Sequence, residues 1–241
     1  MGDAFHPDVP YEFVDAIMAV AALCPQHLLF FLTKRPERML EYFSPSAELA
    51  GITRDVLVEG KAQCIYEKRT GEDPSMWLAV QWPIKNIWLG TSVENQKAAG
   101  DRHEHMRQLA GMGFNTWVSY EPAIGPVNWD GWEFIRFMAS AGESGHGARQ
   151  SHPDWHRAAR NFCQKVRAKY CFKGWGEWAP CLDDDDCDGK NCNRISIGGL
   201  NVGFNISFWR DSDVCMRRVG KKAAGRLLDG KEHLEFPESK Q

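Results

Sequence analysis

The sequence lacks the features that would place the protein in a membrane or on a nucleic acid. Its 241 residues contain no apolar run that approaches the ~18 residues of a transmembrane helix. The first residues, Met1 to His6, do not have the basic and then apolar order of a secretion signal. The net charge of −3 provides no overall attraction to nucleic acid or to an anionic membrane. We therefore expect a cytoplasmic protein with no membrane partner.

Several common functional motifs are missing as well. The glycine-rich segment Gly142 to Gly147 has neither the Walker spacing nor the GxGxxG spacing, so phosphate binding there is only weakly indicated. The segment Ser119 to Glu121 has no histidine at a matching distance, and a nucleophilic triad is not predicted. We interpret His146, His152 and His156 as surface residues around the start of a helix.

Cysteines are numerous, but they are not arranged as a zinc knuckle. A cytoplasmic chain of this size is expected to keep its eight cysteines as free thiols or metal ligands. Four of them are candidate metal ligands: Cys181, Cys187, Cys192 and Cys215. Because their spacing lacks a CxxC pair, we favour a polar insertion with free thiols over a zinc site.

What the sequence does contain is a series of short apolar segments, which are typical of buried parallel strands. Strands are predicted over residues 28–32, 87–91, 116–120, about 135–140 and 170–173, and helices over 11–23, 36–42, 95–111 and 153–169. Residues 44–85 are predicted to form an irregular excursion with one or two short helices. This alternation favours an α/β fold with parallel strands, built as a partial βα barrel whose first strands are missing. The alternative is a doubly wound open sheet.

Changes in amino-acid composition divide the chain into three parts. Residues 1–180 are predicted to form the partial barrel, and residues 181–215 a polar, cysteine-containing insertion or small hairpin with a strand over 202–209. Residues 216–241 are predicted to form a C-terminal helix, ended by Gly230, and a tail.

Polar and charged side chains follow each predicted strand. Because the carboxyl ends of parallel strands meet at one edge, we expect these side chains to form one site. Glu121, Glu143 and Lys173 are the predicted catalytic residues. The predicted ligand-binding residues are Lys34, Arg35, Ser92, Glu94, Ser119, Ser144, Trp175 and Glu177. For any single glutamate, a helix cap or an ion pair is an equally good interpretation.

Six segments, taken in order, resemble one protein family. They are residues 31–39, 87–96, 118–127, 142–149, 172–178 and 220–226, with sequences such as FLTKRPERM, IWLGTSVENQ and FKGWGEW. Together they are similar to the phage-encoded family of unknown function that is named after phage gene products thirty-seven and sixty-eight. The similarity covers nearly the whole chain.

The resemblance implies a radical-SAM-like protein whose cofactors are S-adenosylmethionine and a [4Fe–4S] cluster. In the family, the three-cysteine segment for the cluster precedes the part that corresponds to Met1 to His6, so this chain is expected to lack it. The resemblance thus predicts a phage or prophage protein in the host cytoplasm, the substrate-binding portion of an enzyme for an unknown small-molecule or nucleoside-like substrate. One alternative is a non-catalytic binding module or remnant with a phage-encoded partner protein. Another is a small zinc-binding protein that uses the 181–215 cysteines.

Overall fold

The structure is a computed structural model that describes residues 2–44, 48–49, 51–181, 192–197 and 213–238. Its helices are α1 (Tyr11–Leu23), α2 (Pro36–Phe43), α3 (Arg54–Thr70), α4 (Gln96–Gly111), α5 (Pro153–Val166) and α6 (Lys221–Ala224). Its strands are β1 (Leu29–Thr33), β2 (Glu48–Leu49), β3 (Ile52–Thr53), β4 (Ile87–Ser92), β5 (Asn115–Tyr120), β6 (Phe137–Ala141), β7 (Lys169–Gly174), β8 (Trp178–Pro180), β9 (Cys192–Ile195) and β10 (Val214–Arg218). None of the described helices combines the length and apolarity needed to cross a lipid bilayer.

Five strands form an all-parallel sheet in the order β1-β4-β5-β6-β7. Leu29 of β1 pairs with Ile87 of β4, and Phe137 of β6 pairs with Lys169 of β7. The order along the sheet follows the order along the chain, without the reversal that marks a doubly wound sheet. The predicted α/β class with parallel strands is confirmed. A smaller antiparallel sheet has the order β8-β10-β9, and β2 pairs with β3.

The chain divides into two compact units, each with its own core. The first comprises Met1–Thr91, Arg102–Trp117 and Glu238–Gln241. The second comprises Ser92–Asp101 and Val118–Pro237.

An aromatic cluster and a buried polar network form the core of the first unit. The ring of Phe5 contacts the rings of Phe31, Tyr42 and Phe43, with centroids 6.1 to 6.3 Å apart. The hydroxyl of Tyr42 donates a hydrogen bond of 2.8 Å to Asp15, and the guanidinium of Arg54 lies 3.0 Å from the other oxygen of that carboxylate. All three side chains are buried, and the Tyr42 hydroxyl and the Asp15 carboxylate are satisfied by these contacts, whereas Nε of Arg54 has no hydrogen-bond partner among the described residues.

In the second unit, α5 packs against β6 and β7. The helix is capped by His152, whose side chain accepts a hydrogen bond from the backbone N–H of Asp154, with Pro153 in the first turn. The carboxylate of Asp229 joins the C-terminal segment to α5 through ion pairs of 2.7 and 2.6 Å to Arg157 and Arg160.

Two of the predicted elements differ from the structure. The segment 44–85 contains the 17-residue helix α3, longer than the short helices expected there. Gly60 is tolerated inside this helix, whereas Gly71 has φ +77° and ends it. The C-terminal helix is only four residues long and ends at Gly225 rather than at Gly230. The predicted strand over 202–209 lies outside the described residues.

Candidate functional site

A cavity of about 420 Å³ lies in the second unit, where β6 and β7 end. Its walls come from three segments that follow strands and from the region of α6. The lining residues are Glu121, Ala141, Gly142, Ser144, Lys173, Gly174, Gly176, Lys221, Lys222, Gly225 and Arg226. Distant parts of the sequence therefore meet at the carboxyl ends of these parallel strands, as the pattern of polar residues predicted.

An ion pair joins two of the predicted catalytic residues at the cavity wall. The ammonium of Lys173 donates a hydrogen bond of 2.8 Å to Oε2 of Glu121. Glu121 directly follows β5, while Lys173 is an exposed position near the end of β7, between Phe172 and Gly174. The side chain of Glu121 is 21% exposed and that of Lys173 is 56% exposed, so both charges are accessible to a bound molecule.

The remaining charged groups of the cavity are cations from the C-terminal segment. Lys221 and Lys222 lie on α6, and Arg226 follows Gly225. Arg226 is held by an ion pair of 2.8 Å to Glu232, in which both side chains are substantially exposed. Together with Lys173, the described lining carries four cationic side chains and one carboxylate, that of Glu121. Such an excess of positive charge attracts an anionic ligand.

Three glycines allow the segments around the cavity to pack backbone against backbone. A Cβ atom on Gly142 would overlap the carbonyl oxygen of Trp175, and one on Gly176 would overlap that of Glu143. A Cβ atom on Gly174 would lie 2.8 Å from the carbonyl oxygen of Gly225, closer than such contacts occur. The backbone N–H of Gly142 donates to the carbonyl of Gly174 at 3.0 Å. The glycines following β6 and β7 are therefore required by close approach.

Glu143, the third predicted catalytic residue, is committed to an ion pair outside the cavity lining. Arg149 donates to this carboxylate from Nη2 at 2.6 Å, from Nε at 2.8 Å and from its backbone N–H at 2.8 Å. The hydrogen bonds from Arg149 lower the pKa of Glu143. The same bonds raise the pKa of Arg149, and the nearby charge of Glu94 adds to this effect. Glu143 therefore stabilises the 142–149 loop.

Glu177 joins two loops in a similar way. Its Oε1 accepts a hydrogen bond of 3.1 Å from the backbone N–H of Gly145. Its backbone N–H donates to the carbonyl of Glu143, and its own carbonyl accepts from the N–H groups of Val219 and Gly220. Glu177 thus positions the loops that carry Ser144 and Lys221.

The other predicted ligand-binding residues have various locations. Ser144 lines the cavity. Ser92, Ser119, Glu94 and Trp175 are buried residues of the second unit that do not belong to its described lining.

Lys34 and Arg35 belong to the first unit. Lys34 is exposed, whereas Arg35 forms an ion pair of 2.8 Å with Asp3.

Two of the three histidines that were predicted to lie on the surface are buried. His152 and His156 are fully buried, because both lie on the inward face at the start of α5; His146 is exposed. The ring of His156 is hydrogen-bonded to the hydroxyls of Ser140 at 3.0 Å and Ser151 at 2.7 Å. Burial lowers the pKa of His156 to about 3, so its ring is neutral at pH 7. This enclosed group is part of the core.

Three of the four candidate metal-binding cysteines lie together. The sulfur atoms of Cys181, Cys192 and Cys215 are all within 4.8 Å of one another. Cys192 and Cys215 are buried, and Cys181 is half-buried. The fourth candidate, Cys187, lies outside the described residues.

Four residues near the cavity were not among the predicted site residues. Lys221, Lys222 and Arg226 occur in the C-terminal segment, and Arg149 follows the glycine-rich loop. Only the resemblance, which included both segments, drew attention to them. None of these residues directly follows a strand of the parallel sheet. Their position therefore depends on the tertiary structure and could not be predicted from the strand ends.

A comparison with protein families identifies the chain. The family described as a protein of unknown function, DUF5131, matches residues 1–237, and the chain belongs to this family. Neither the curated proteins nor the solved structures contain a match. The phage origin, the radical-SAM relationship and the cytoplasmic location stay predictions.

Proposed function

We propose that this DUF5131 protein binds a small anionic substrate in the cavity of its second unit and acts on it through Glu121 and Lys173. The observation that carries the proposal is the charge of the cavity: Lys173, Lys221, Lys222 and Arg226 line it with a single described carboxylate. Ammonium and guanidinium groups bind phosphate and carboxylate oxygens through strong, charge-assisted hydrogen bonds.

The size and lining of the cavity restrict the substrate class. A volume of about 420 Å³ holds a small molecule. The described lining contains glycine, alanine and serine beside the charged residues, and no aromatic ring on which a nucleobase would stack. These features favour a compact phosphorylated or carboxylate-bearing molecule over the nucleoside-like part of the predicted substrate range.

The Glu121–Lys173 pair supplies groups suited to proton transfer. A carboxylate and an ammonium group that are hydrogen-bonded to each other can serve as base and acid when a ligand binds between them. When an anionic group of the substrate binds Lys173, the Glu121 carboxylate loses its partner and becomes available to accept a proton. Glu143 has no such role in this proposal, because its oxygens are occupied by Arg149.

We also propose that the fold is a radical-SAM-like partial barrel. The parallel sheet supports this proposal, because its strand order follows the chain without reversal. The three described cysteines that lie together, Cys181, Cys192 and Cys215, do not fit a [4Fe–4S] cluster. Their sulfur atoms converge within 4.8 Å, as around a single ion, whereas a cubane places each thiolate on a different iron atom. No step of the proposed reaction is therefore assigned to a cluster or to S-adenosylmethionine.

Calorimetric titration with pyrophosphate, at constant ionic strength, tests the proposed function. Lys221→Ala combined with Lys222→Ala is expected to weaken binding by at least about tenfold, since each charged hydrogen bond contributes roughly 1.5–3 kcal/mol. The matched control is Lys61→Ala with Lys68→Ala, which removes the same charge from exposed positions on α3. Equal loss in both double variants, or no binding by the wild type to pyrophosphate or to citrate, would overturn the proposal.

A non-catalytic binding module would bind the same anions without acting on them. Incubation of the protein with phosphate monoesters and carboxylates, followed by mass spectrometry of the small molecules, separates the two cases. The proposed enzyme changes at least one of these compounds, and Glu121→Gln abolishes that change while the compound still binds.

A further inference from the structure

We propose that Cys181, Cys192 and Cys215 bind a zinc ion that fastens the antiparallel sheet β8-β10-β9. This metal site is independent of the proposed anion site. It uses neither the residues that line the cavity nor the Glu121–Lys173 pair.

The register of the sheet brings the three cysteines to one face. Cys181 directly follows β8, and its backbone N–H donates to the carbonyl of Cys215 at 2.9 Å. On the other side of β10, Cys215 pairs with Arg194 and Arg217 pairs with Cys192. Because side chains two residues apart on a strand share a face, Cys192 lies diagonally beside Cys215 on the same face. The convergence of sulfur atoms therefore follows from strand pairing, without a CxxC motif.

The distances suit a single tetrahedral ion. Cys181 Sγ lies 3.3 Å from Cys215 Sγ, and all three sulfur atoms are within 4.8 Å of one another. Two thiolates bound to one zinc ion at ~2.3 Å with tetrahedral angles are separated by about 3.8 Å. One separation is 3.3 Å and none exceeds 4.8 Å, so side-chain movements of about 1 Å or less bring the sulfur atoms to this spacing. A tetrahedral ion takes its fourth ligand from outside these three residues.

The chemistry of the surroundings favours a soft divalent cation. Three thiolates select zinc over magnesium or calcium, which prefer oxygen ligands. Arg194 and Arg217 occupy the positions paired with Cys215 and Cys192 in the sheet. Arg194 is buried there.

The small size of the sheet is a reason for a metal ion to stabilise it. β8, β9 and β10 have three, four and five residues, and a sheet this small buries little apolar surface. A metal that joins all three strands adds its binding free energy to folding. The proposed role of zinc is therefore structural.

The test uses the full chain, purified in the presence of a reductant. Elemental analysis is expected to find one zinc ion per chain. After the metal is removed with a chelator, titration with Co²⁺ is expected to saturate at one equivalent, with the intense absorption of tetrahedral cobalt thiolate, and zinc is expected to displace the cobalt. This measurement on the wild type does not depend on the folding of any variant.

Cysteine variants locate the site. Cys192→Ser and Cys215→Ser are each expected to weaken zinc binding by more than about 100-fold. Cys64→Ser, which removes an exposed thiol of α3, is the control and keeps full affinity. Wild-type protein with no zinc and no thiolate-to-cobalt band would overturn the proposal. A Cys181–Cys215 disulfide under reducing conditions, or iron with acid-labile sulfide in place of zinc, would overturn it equally.

Discussion

The ammonium of Lys173 and the carboxylate of Glu121 lie 2.8 Å apart, although 52 residues separate them in the sequence. The contact joins the segment that follows β5 to the end of β7. It holds opposite charges in a cavity that otherwise carries cations from α6 and Arg226. The two partners therefore have opposite effects on an anionic ligand.

Glu121→Gln and Lys173→Ala are predicted to change pyrophosphate affinity in opposite directions. The first substitution removes the carboxylate that repels the ligand and releases Lys173, so binding is expected to tighten severalfold. The second removes a charged donor and is expected to weaken binding by about tenfold. Calorimetry at constant ionic strength measures both changes. Lys97→Ala, on the exposed surface of α4, is the control for loss of a charge. If Glu121→Gln also weakened binding, the pair would serve structure rather than recognition.

Gly142→Ala is predicted to destabilise the protein by roughly 1–3 kcal/mol, because the added methyl group would overlap the carbonyl oxygen of Trp175. The matched control is Gly100→Ala on α4, where an added Cβ meets nothing within 4 Å. That change is expected to stabilise by about 0.5–1 kcal/mol. Urea unfolding of the second unit measures both. Equal stability of the two variants would show that the segments around the cavity are not in close contact.

His156 is predicted to make the protein less stable as the pH falls from 7 to 5.5. The folded pKa is about 3, whereas the unfolded value is near 6.5, so protons bind preferentially to the unfolded chain between these limits. Each pH unit well inside that window is expected to cost up to about 1.4 kcal/mol. The free energy of unfolding of His156→Gln should depend less steeply on pH, whereas His146→Gln, at an exposed position, should follow the wild type. A wild-type slope shared by both variants would contradict the buried, neutral state of His156.

The buried ion pair between Asp15 and Arg54 is predicted to be costly to break in isolation. Asp15→Ala leaves the guanidinium of Arg54 buried without its carboxylate, and a loss of about 3–5 kcal/mol is expected. Replacing the pair together, with Asp15→Leu and Arg54→Met, should recover part of this stability, because both charges are then removed from the core while the buried Tyr42 hydroxyl still lacks its acceptor. Thermal and urea unfolding measure the stability of the single and double variants. Additive losses in the double variant would mean that the two charges do not interact.

The parallel strands and most helices were predictable from local patterns. Short apolar runs mark buried strands, and a 3.6-residue periodicity of apolar residues marks the buried face of a helix. The structure confirms β1, β4, β5, β6 and β7 close to their predicted residues. The length of α3 was underestimated because glycines such as Gly60 and Gly71 commonly interrupt helices, while only Gly71 occupies a left-handed conformation. Sequence does not distinguish a glycine tolerated in a helix from one that ends it.

The candidate site was predictable only in part. Glu121, Lys173 and Ser144 could be identified because they follow strands of one parallel sheet. The contribution of Lys221 and Lys222 depends on how the C-terminal segment packs, and local patterns do not encode that placement. The cysteine trio was discounted for lack of a CxxC pair, since the register of β9 and β10 that aligns Cys192 with Cys215 becomes known only from the structure.

The most direct test of the anion-binding cavity is anomalous diffraction from a crystal of the protein soaked in tungstate, a heavy analogue of phosphate. The account predicts a strong anomalous peak in the cavity, within hydrogen-bond distance of Lys173 and of at least one of Lys221, Lys222 and Arg226. An accessible cavity that contains no peak, while tungstate binds elsewhere on the molecule, would contradict it.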